Sequence, residues 1–234
     1  MKRVAVLASG GGSNLQAILD YERARGKAGS APVVLVGGDQ PAAGALQRAR
    51  DAGITAVALD REARSTGLAA ILAAHRVELL VLAGYLRLVP ADVVRQFRGR
   101  IVNVHPALLP EFGGPGMYGH HVHEAVVQRG ARRTGATIHY VDERYDEGPI
   151  IAQWRVPVEP GDTAGDVARR VLEVEHLLYP RIVDAVAAGR VRLDPDNVVR
   201  GATGVFPIIV DEVPTDVALE KLDAALGFPS RPAT

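Results

Sequence analysis

The sequence predicts an α/β chain built on a doubly wound, mostly parallel sheet, with an antiparallel strand addition in its C-terminal half. Two observations carry that prediction. Short unbroken runs of Val, Leu and Ala alternate with longer stretches of helical periodicity over the first two-thirds of the chain. Runs without polar alternation suit parallel strands covered on both faces, and their alternation with helices implies right-handed crossovers. Past residue 133 the rhythm changes, and two extended runs follow one another across a short polar loop, the signature of an antiparallel pair.

In chain order, VAVLA (4–8), VVLVG (33–37), AVAL (56–59), ELLVLAG (78–84) and IVNVH (101–105) read as strands, each bounded by Gly, Pro or Asp. Between them NLQAILDYERARG (14–26), AAGALQRARDAG (42–53) and ARSTGLAAILAAHR (63–76) place apolar residues at helical spacing, the second ending on Gly53. TGATIHYVDE (134–143) and PIIAQWRVPVE (149–159) form the antiparallel pair. A long helix is expected from Thr163, as N-cap, to Ala188, stopped by Gly189. Beyond Gly201 the chain is rich in Pro and Gly until TDVALEKLDAALG (215–227), a short helical pattern on a tail that either docks or frays. The chain thus divides into a body, 1–195, with halves at 1–100 and 101–195, and a tail, 196–234.

Composition narrows the function. The chain has 234 residues, 47% hydrophobic, enough for one large core. Lys+Arg and Asp+Glu are both 27, so no net field draws nucleic acid or an anionic membrane, and small molecules are the expected partners. Without cysteine there is no disulfide framework, thiolate zinc site or cysteine nucleophile. No secretory signal and no membrane span is read, so the expected location is the cytoplasm, as a monomer or homodimer.

Four stretches could carry chemistry. SGGGSNLQ (9–16) leaves the first strand and opens the first helix. Three glycines let backbone approach a ligand, free helix N–H groups attract phosphate, and Ser13 and Asn14 are placed to cap the helix. A tight capped turn would need fewer glycines, which favours the phosphate site. A dinucleotide fingerprint is only partial: Gly10 and Gly12 fit, Leu15 stands where the third glycine belongs, and Asp39 is the candidate ribose acid.

In IVNVHPALLP (101–110), Asn103 and His105 lie two apart and so share a face at the end of an apolar strand. Asp146 in YDEGPI (145–150) is either a turn residue or an acid folded over the carboxyl ends of the strands. In the second case its charge would raise the histidine pKa and keep the ring cationic. His120, His121 and His123 suggest a metal, but their spacing does not suit one helix face, and an exposed helix start is the favoured reading.

Taken together, SGGGSNLQ, LAGYLRLVP, NVHPALLP and DEGPI resemble, in order and spacing, the folate-dependent formyltransferases, and most closely the phosphoribosylglycinamide formyltransferase family of purine synthesis. The resemblance covers residues 1 to about 195. It implies transfer of a formyl group from 10-formyltetrahydrofolate, as co-substrate, to the amine of glycinamide ribonucleotide, without a metal. It implies Asn103, His105 and Asp146 as the catalytic trio, with Asn103 and protonated His105 donating to the formyl oxygen. It further implies Gly12, Ser13 and Asn14 as the phosphate loop and Glu175 on the ribose hydroxyls. Leu86, Arg87, Leu88 and Val89 would meet the pterin, Asp142, Glu143, Arg144 and Tyr145 would wall its pocket, and Arg61 would lie near the folate. On the same resemblance residues 1–100 form a phosphate-binding half and 101–195 a folate-binding and catalytic half. EFGGPGMYGHHVHEA (111–125) is longer than the family's usual segment, and residues 196–234 carry no motif.

Related activities remain as alternatives. A deformylase of the same cofactor would begin with a regulatory domain, and the initiator-tRNA formyltransferase would carry a basic C-terminal domain. A non-catalytic binding module needs none of Asn103, His105 and Asp146. A nicotinamide oxidoreductase leaves NVHPALLP and YDEGPI unexplained.

Overall fold

A computed structural model describes residues 1–201, 205–211 and 215–228. Among them an eight-stranded sheet runs in the order β10-β7-β6-β5-β4-β1-β2-β3. Its strands are β1 (Val4–Ala8), β2 (Val33–Gly38), β3 (Thr55–Ala58), β4 (Leu79–Leu82), β5 (Ile101–His105), β6 (Arg133–Tyr140), β7 (Ile150–Pro157) and β10 (Ile208–Val210). The helices are α1 (Ser13–Arg25), α2 (Gly44–Asp51), α3 (Leu68–Ala74), α4 (Ala91–Gln96), α5 (His120–Gln128), α6 (Ala164–Ala187) and α7 (Thr215–Ala225).

β1 to β5 are parallel, while β6 pairs antiparallel with both β5 and β7. The apolar runs are continuous because both sheet faces are covered. Val4, Val6 and Ala8 of β1 join a core with α1, α2, α5 and α6, whereas Ala5 and Leu7 join a second core with α3 and α4.

Thr163 caps α6 in a reciprocal box with Asp166, and Gly189 follows its end at φ 73°. The α3 region opens with a wide turn over Ala63–Gly67 rather than as one helix from residue 63. α1 is not capped by side chains: Gly12 is the N-cap residue and Ser13 is already helical. The boundary expected at 195 falls in the turn of a two-stranded hairpin, β8 (Val191–Leu193) with β9 (Val199–Gly201).

The described part of the tail docks. β10 adds a parallel strand to β7, a contribution its Pro- and Gly-rich surroundings hide from periodicity. α7 is tied to α6 by Arg181 Nε donating to Asp223 Oδ1 at 2.9 Å. The Phe228 ring packs against the guanidinium groups of Arg25 and Arg190.

This topology places the functional end. The chain runs from β1 outward to β3, then returns to β4 on the other side of β1. β1 and β4 therefore flank the point where strand order reverses, and a crevice opens outside their carboxyl ends. The stretch after β5 is pinned from below by Thr137 of β6. Its hydroxyl donates to Ala107 O at 2.6 Å and accepts from Leu109 N and Gln153 Nε2, both at 3.1 Å. Thr137→Val keeps the shape and strands those buried partners. It is expected to cost about 1–3 kcal/mol per stranded group, read as a lowered denaturation midpoint; an unchanged midpoint would contradict this pinning.

Candidate active site

A cleft of about 840 Å³ lies at the carboxyl ends of β1, β4 and β5. Four loops build its walls, those after β1, β4, β5 and β6. It brings together Asn14, Leu86, Arg87, Leu88, Val89, Asn103, His105, Asp142, Glu143, Arg144, Tyr145, Asp146 and Glu175. Gly12 and Ser13 sit beside it at the mouth of α1 and do not line it. Arg61 is exposed and also outside the lining; Arg64, three residues on, instead reaches toward Asp39 at 4.0 Å.

Asn103 and His105 do share a face, and the antiparallel neighbour supplies a residue that periodicity did not single out. His139 of β6 is the register partner of Asn103. Its Nδ1 lies 2.9 Å from Tyr140 O, a carbonyl that can only accept, so the proton sits on Nδ1. Nε2 is then a lone pair, and Asn103 Nδ2 donates to it at 3.1 Å. One backbone carbonyl thereby fixes the histidine tautomer, which in turn fixes the orientation of the Asn103 amide. The second Nδ2 hydrogen of Asn103 remains for a ligand.

Asp146 does fold over the strand ends. It adopts φ 55°, in the left-handed region that Asp tolerates better than most residues. Its Oδ2 accepts from Gly114 N at 3.0 Å and lies 3.6 Å from His105 Nδ1; its Oδ1 lies 3.7 Å from His139 Nε2. On the other side of the ring, His105 Nε2 donates to Phe112 O at 2.7 Å. Both nitrogens of His105 are therefore directed at protein acceptors.

Burial opposes the Asp146 charge, which raises the His105 pKa as expected. Burial lowers its pKa below the ordinary histidine value, and the Asp146 charge and Phe112 carbonyl only partly offset that. A lowered pKa favours the neutral ring, with the proton on Nε2 toward Phe112 O and the Nδ1 lone pair 3.6 Å from the Asp146 carboxylate. His139 is likewise held down, chiefly by burial.

His123 lines the cleft, and burial with the nearby His120 and His105 pushes it down to about 4. His120, at the cleft rim, and His121 are exposed and face Glu124 of α5, at 3.5 and 3.3 Å. Among the described residues no cluster of three or more His, Cys, Asp or Glu is placed to hold a metal.

The Asn14 side chain is drawn into the cleft, where Nδ2 donates to Glu175 Oε2 at 2.6 Å. Burial pushes the Glu175 carboxyl up to about 7 against that bond. Such a carboxyl, with no hydrogen-bond partner but Asn14 among the described residues, suits a ligand that brings hydroxyl donors. At the glycine loop, Arg48 of α2 donates from Nε to Gly11 O at 2.8 Å, adding a cation beside the free amides of α1.

Gly12 is needed for more than ligand approach: at φ 77° a Cβ there would lie 2.7 Å from Ala45 Cα. Gly10 has nothing within 4 Å of such a Cβ and lines the cleft. Gly10→Asp therefore tests the loop without disturbing the fold. It is expected to raise KM for a phosphorylated substrate about tenfold or more, the loss of roughly one charged hydrogen bond. An unchanged KM would remove the anion site from this loop.

A profile of the family described as formyl transferase matches residues 2–183. The chloroplastic phosphoribosylglycinamide formyltransferase of Arabidopsis thaliana is 42% identical over 204 residues, covering 84% of this chain and 69% of that protein. The crystal structure of phosphoribosylglycinamide formyltransferase from Anaplasma phagocytophilum superposes with a TM-score of 0.79 at 32% identity, covering 90% of this chain and 97% of that one. Glycinamide ribonucleotide transformylase 1 from Symbiobacterium toebii gives 0.77 at 40% identity, covering 86% and 94%.

Proposed function

The chain belongs to the formyl transferase family, and we propose that its cleft transfers a formyl group from 10-formyltetrahydrofolate to the amino group of glycinamide ribonucleotide. The observation that carries this reading is the convergence of Asn103, His105 and Asp146 in one cleft with the Asn14–Glu175 pair. A hydrogen-bond donor, a neutral base and a carboxylate are the groups that attack of an amine on a formyl carbon requires.

The folate, when bound, supplies the formyl carbon on a nitrogen that leaves as an amine. A new C–N bond forms to the ribonucleotide amine, the old one to the folate nitrogen breaks, and the proton lost by one nitrogen is returned to the other. Asn103 donates its free Nδ2 hydrogen to the oxygen on which charge builds. His105 accepts the amine proton at Nδ1, and Asp146 stabilises the imidazolium and helps hand the proton on. Residues 86–89 and 142–145 form the folate walls, large and partly apolar, in a cleft of about 840 Å³. Glu175 accepts from the ribose hydroxyls, and the amides of Ser13 and Asn14, after Gly12, receive the phosphate.

The test is an absorbance assay with the purified full chain, glycinamide ribonucleotide and 10-formyl-5,8-dideazafolate. Turnover is expected only with both substrates present. Loss of the formyl group without the ribonucleotide would point to a deformylase instead.

A further inference from the structure

α6 carries two polar groups toward the cleft end of the sheet, one helical turn apart. Glu175 lines the cleft and takes the Asn14 amide at 2.6 Å. Tyr179 follows four residues later, so the two side chains share a face of the helix, about 6 Å apart along its axis. Tyr179 is fully buried behind the cleft lining, and the reaction proposed above makes no use of it.

The Tyr179 hydroxyl ends between two strands. It donates toward Leu82 O, at the end of β4, at 2.9 Å and toward Val102 O of β5 at 3.0 Å. Carbonyls only accept, so the single hydroxyl hydrogen is shared between them. Burial raises the Tyr179 pKa well above the ordinary tyrosine value, and the hydroxyl keeps that hydrogen. Both carbonyls adjoin Asn103. Leu82 is the register partner of Asn103, and Val102 O belongs to the peptide bond that leads into it. Because that peptide unit is planar, a hold on Val102 O is also a hold on the Asn103 nitrogen and on the direction of its side chain. His139 Nε2 takes the other end of the same side chain at 3.1 Å.

We propose that Tyr179 is a positioning residue that ties Asn103 to α6, so that the donor to the formyl oxygen keeps a set distance and direction from the ribose subsite at Glu175. This rests on the function proposed above. Packing at this core position needs only the ring. The hydroxyl is a polar group whose burial is costly unless it is paired, and its partners are the two strand carbonyls that flank Asn103. A misplacement of about 1 Å at a reacting group can slow a reaction roughly 10²-fold, which lets a residue outside the cleft govern kcat.

The experiment compares Tyr179→Phe, Asn103→Ala and the double variant Tyr179→Phe/Asn103→Ala in the full chain. The readouts are kcat, KM for both substrates and the thermal midpoint. In ¹³C,¹⁵N-labelled protein without substrates, the resonances of the Val102 carbonyl carbon and the Asn103 side-chain amide are followed as well. Tyr179→Phe, which keeps the ring, is expected to lower kcat about 10- to 100-fold, with both KM values close to the parent's. The Val102 and Asn103 resonances should both shift. Because Tyr179 acts through Asn103, the double variant should be little slower than Asn103→Ala alone. The parent gives a measurement that needs no variant: its Tyr179 hydroxyl proton should exchange with solvent slowly enough to be observed.

A lowered thermal midpoint with kcat at the parental level would make the hydroxyl a structural bond only and overturn the proposal. Multiplying effects in the double variant, unmoved Asn103 resonances, or a parental hydroxyl proton in fast exchange would also overturn it. A parent protein that fails to turn over both substrates would overturn the proposed function instead, while the Asn103 resonances would still decide the positioning.

Discussion

Asn103→Ala is expected to lower kcat by about 10²–10³ while both substrates still bind near parental affinity, because a donor to a developing oxyanion acts mainly in the transition state. His105→Ala should produce a comparable loss through the missing base. Asp146→Asn is the sharper variant, since it keeps the shape and the partner Gly114 N while removing the charge. That charge is what holds the His105 pKa up against burial. Without it the imidazole titrates at lower pH, so the acid limb of the kcat profile should move to lower pH, beneath a reduced plateau. Steady-state kinetics from pH 5 to pH 9 would read both effects. Parental kcat in these variants, or an unmoved acid limb, would return the end of β5 to a merely structural role.

The second large effect concerns Glu175 and separates stability from binding. Its folded-state pKa of about 7 lies above the ordinary value of 4.5. The folded protein therefore retains a proton that the unfolded chain has released between those values, and the sign follows: stability falls as pH rises through that window and stays reduced above it. Glu175→Gln carries no such cost. The variant should gain on the parent by at most about 3.4 kcal/mol at pH 8 and match it near pH 4. It should also bind the ribonucleotide more weakly, by about 1.5–3 kcal/mol for each charged hydrogen bond lost. Thermal midpoints at the two pH values and calorimetry at pH 8 measure these. A gain that does not depend on pH, or undiminished ribonucleotide affinity, would contradict this role.

The parts of the fold legible in the sequence are those whose signal is local. The unbroken Val/Leu runs of β1, β2 and β4 report burial on both faces, and Thr163 with Gly189 brackets α6 by capping chemistry alone. β10 is three residues long, and only its pairing with β7 makes it a strand. The same distinction divides the site. Asn103 and His105 share a face by strand period, so their convergence could be read directly. His139 could not, because TIHY is an ordinary alternating strand until the register sets His139 opposite Asn103. The antiparallel register of β5 with β6 is the signal that finds it. Ser13 and Asn14 looked like caps because their residue types favour that role, yet a buried acid 161 positions away takes the Asn14 amide. The pKa direction of His105 is hidden from the sequence for a related reason: the carboxylate in YDEGPI can be read there, whereas the desolvation of the ring comes only with the fold.

The central claim is that the formyl carbon passes directly from one bound substrate to the other within the cleft at Asn103. The most direct measurement follows a ¹³C-labelled formyl group through a single turnover, with enzyme in excess over 10-formyltetrahydrofolate and with glycinamide ribonucleotide present. The account predicts that the label appears in the formamide of the ribonucleotide, that free formate stays at background, and that Asn103→Ala slows this transfer without redirecting it. Label released as formate, or transfer by Asn103→Ala at the parental rate, would contradict it.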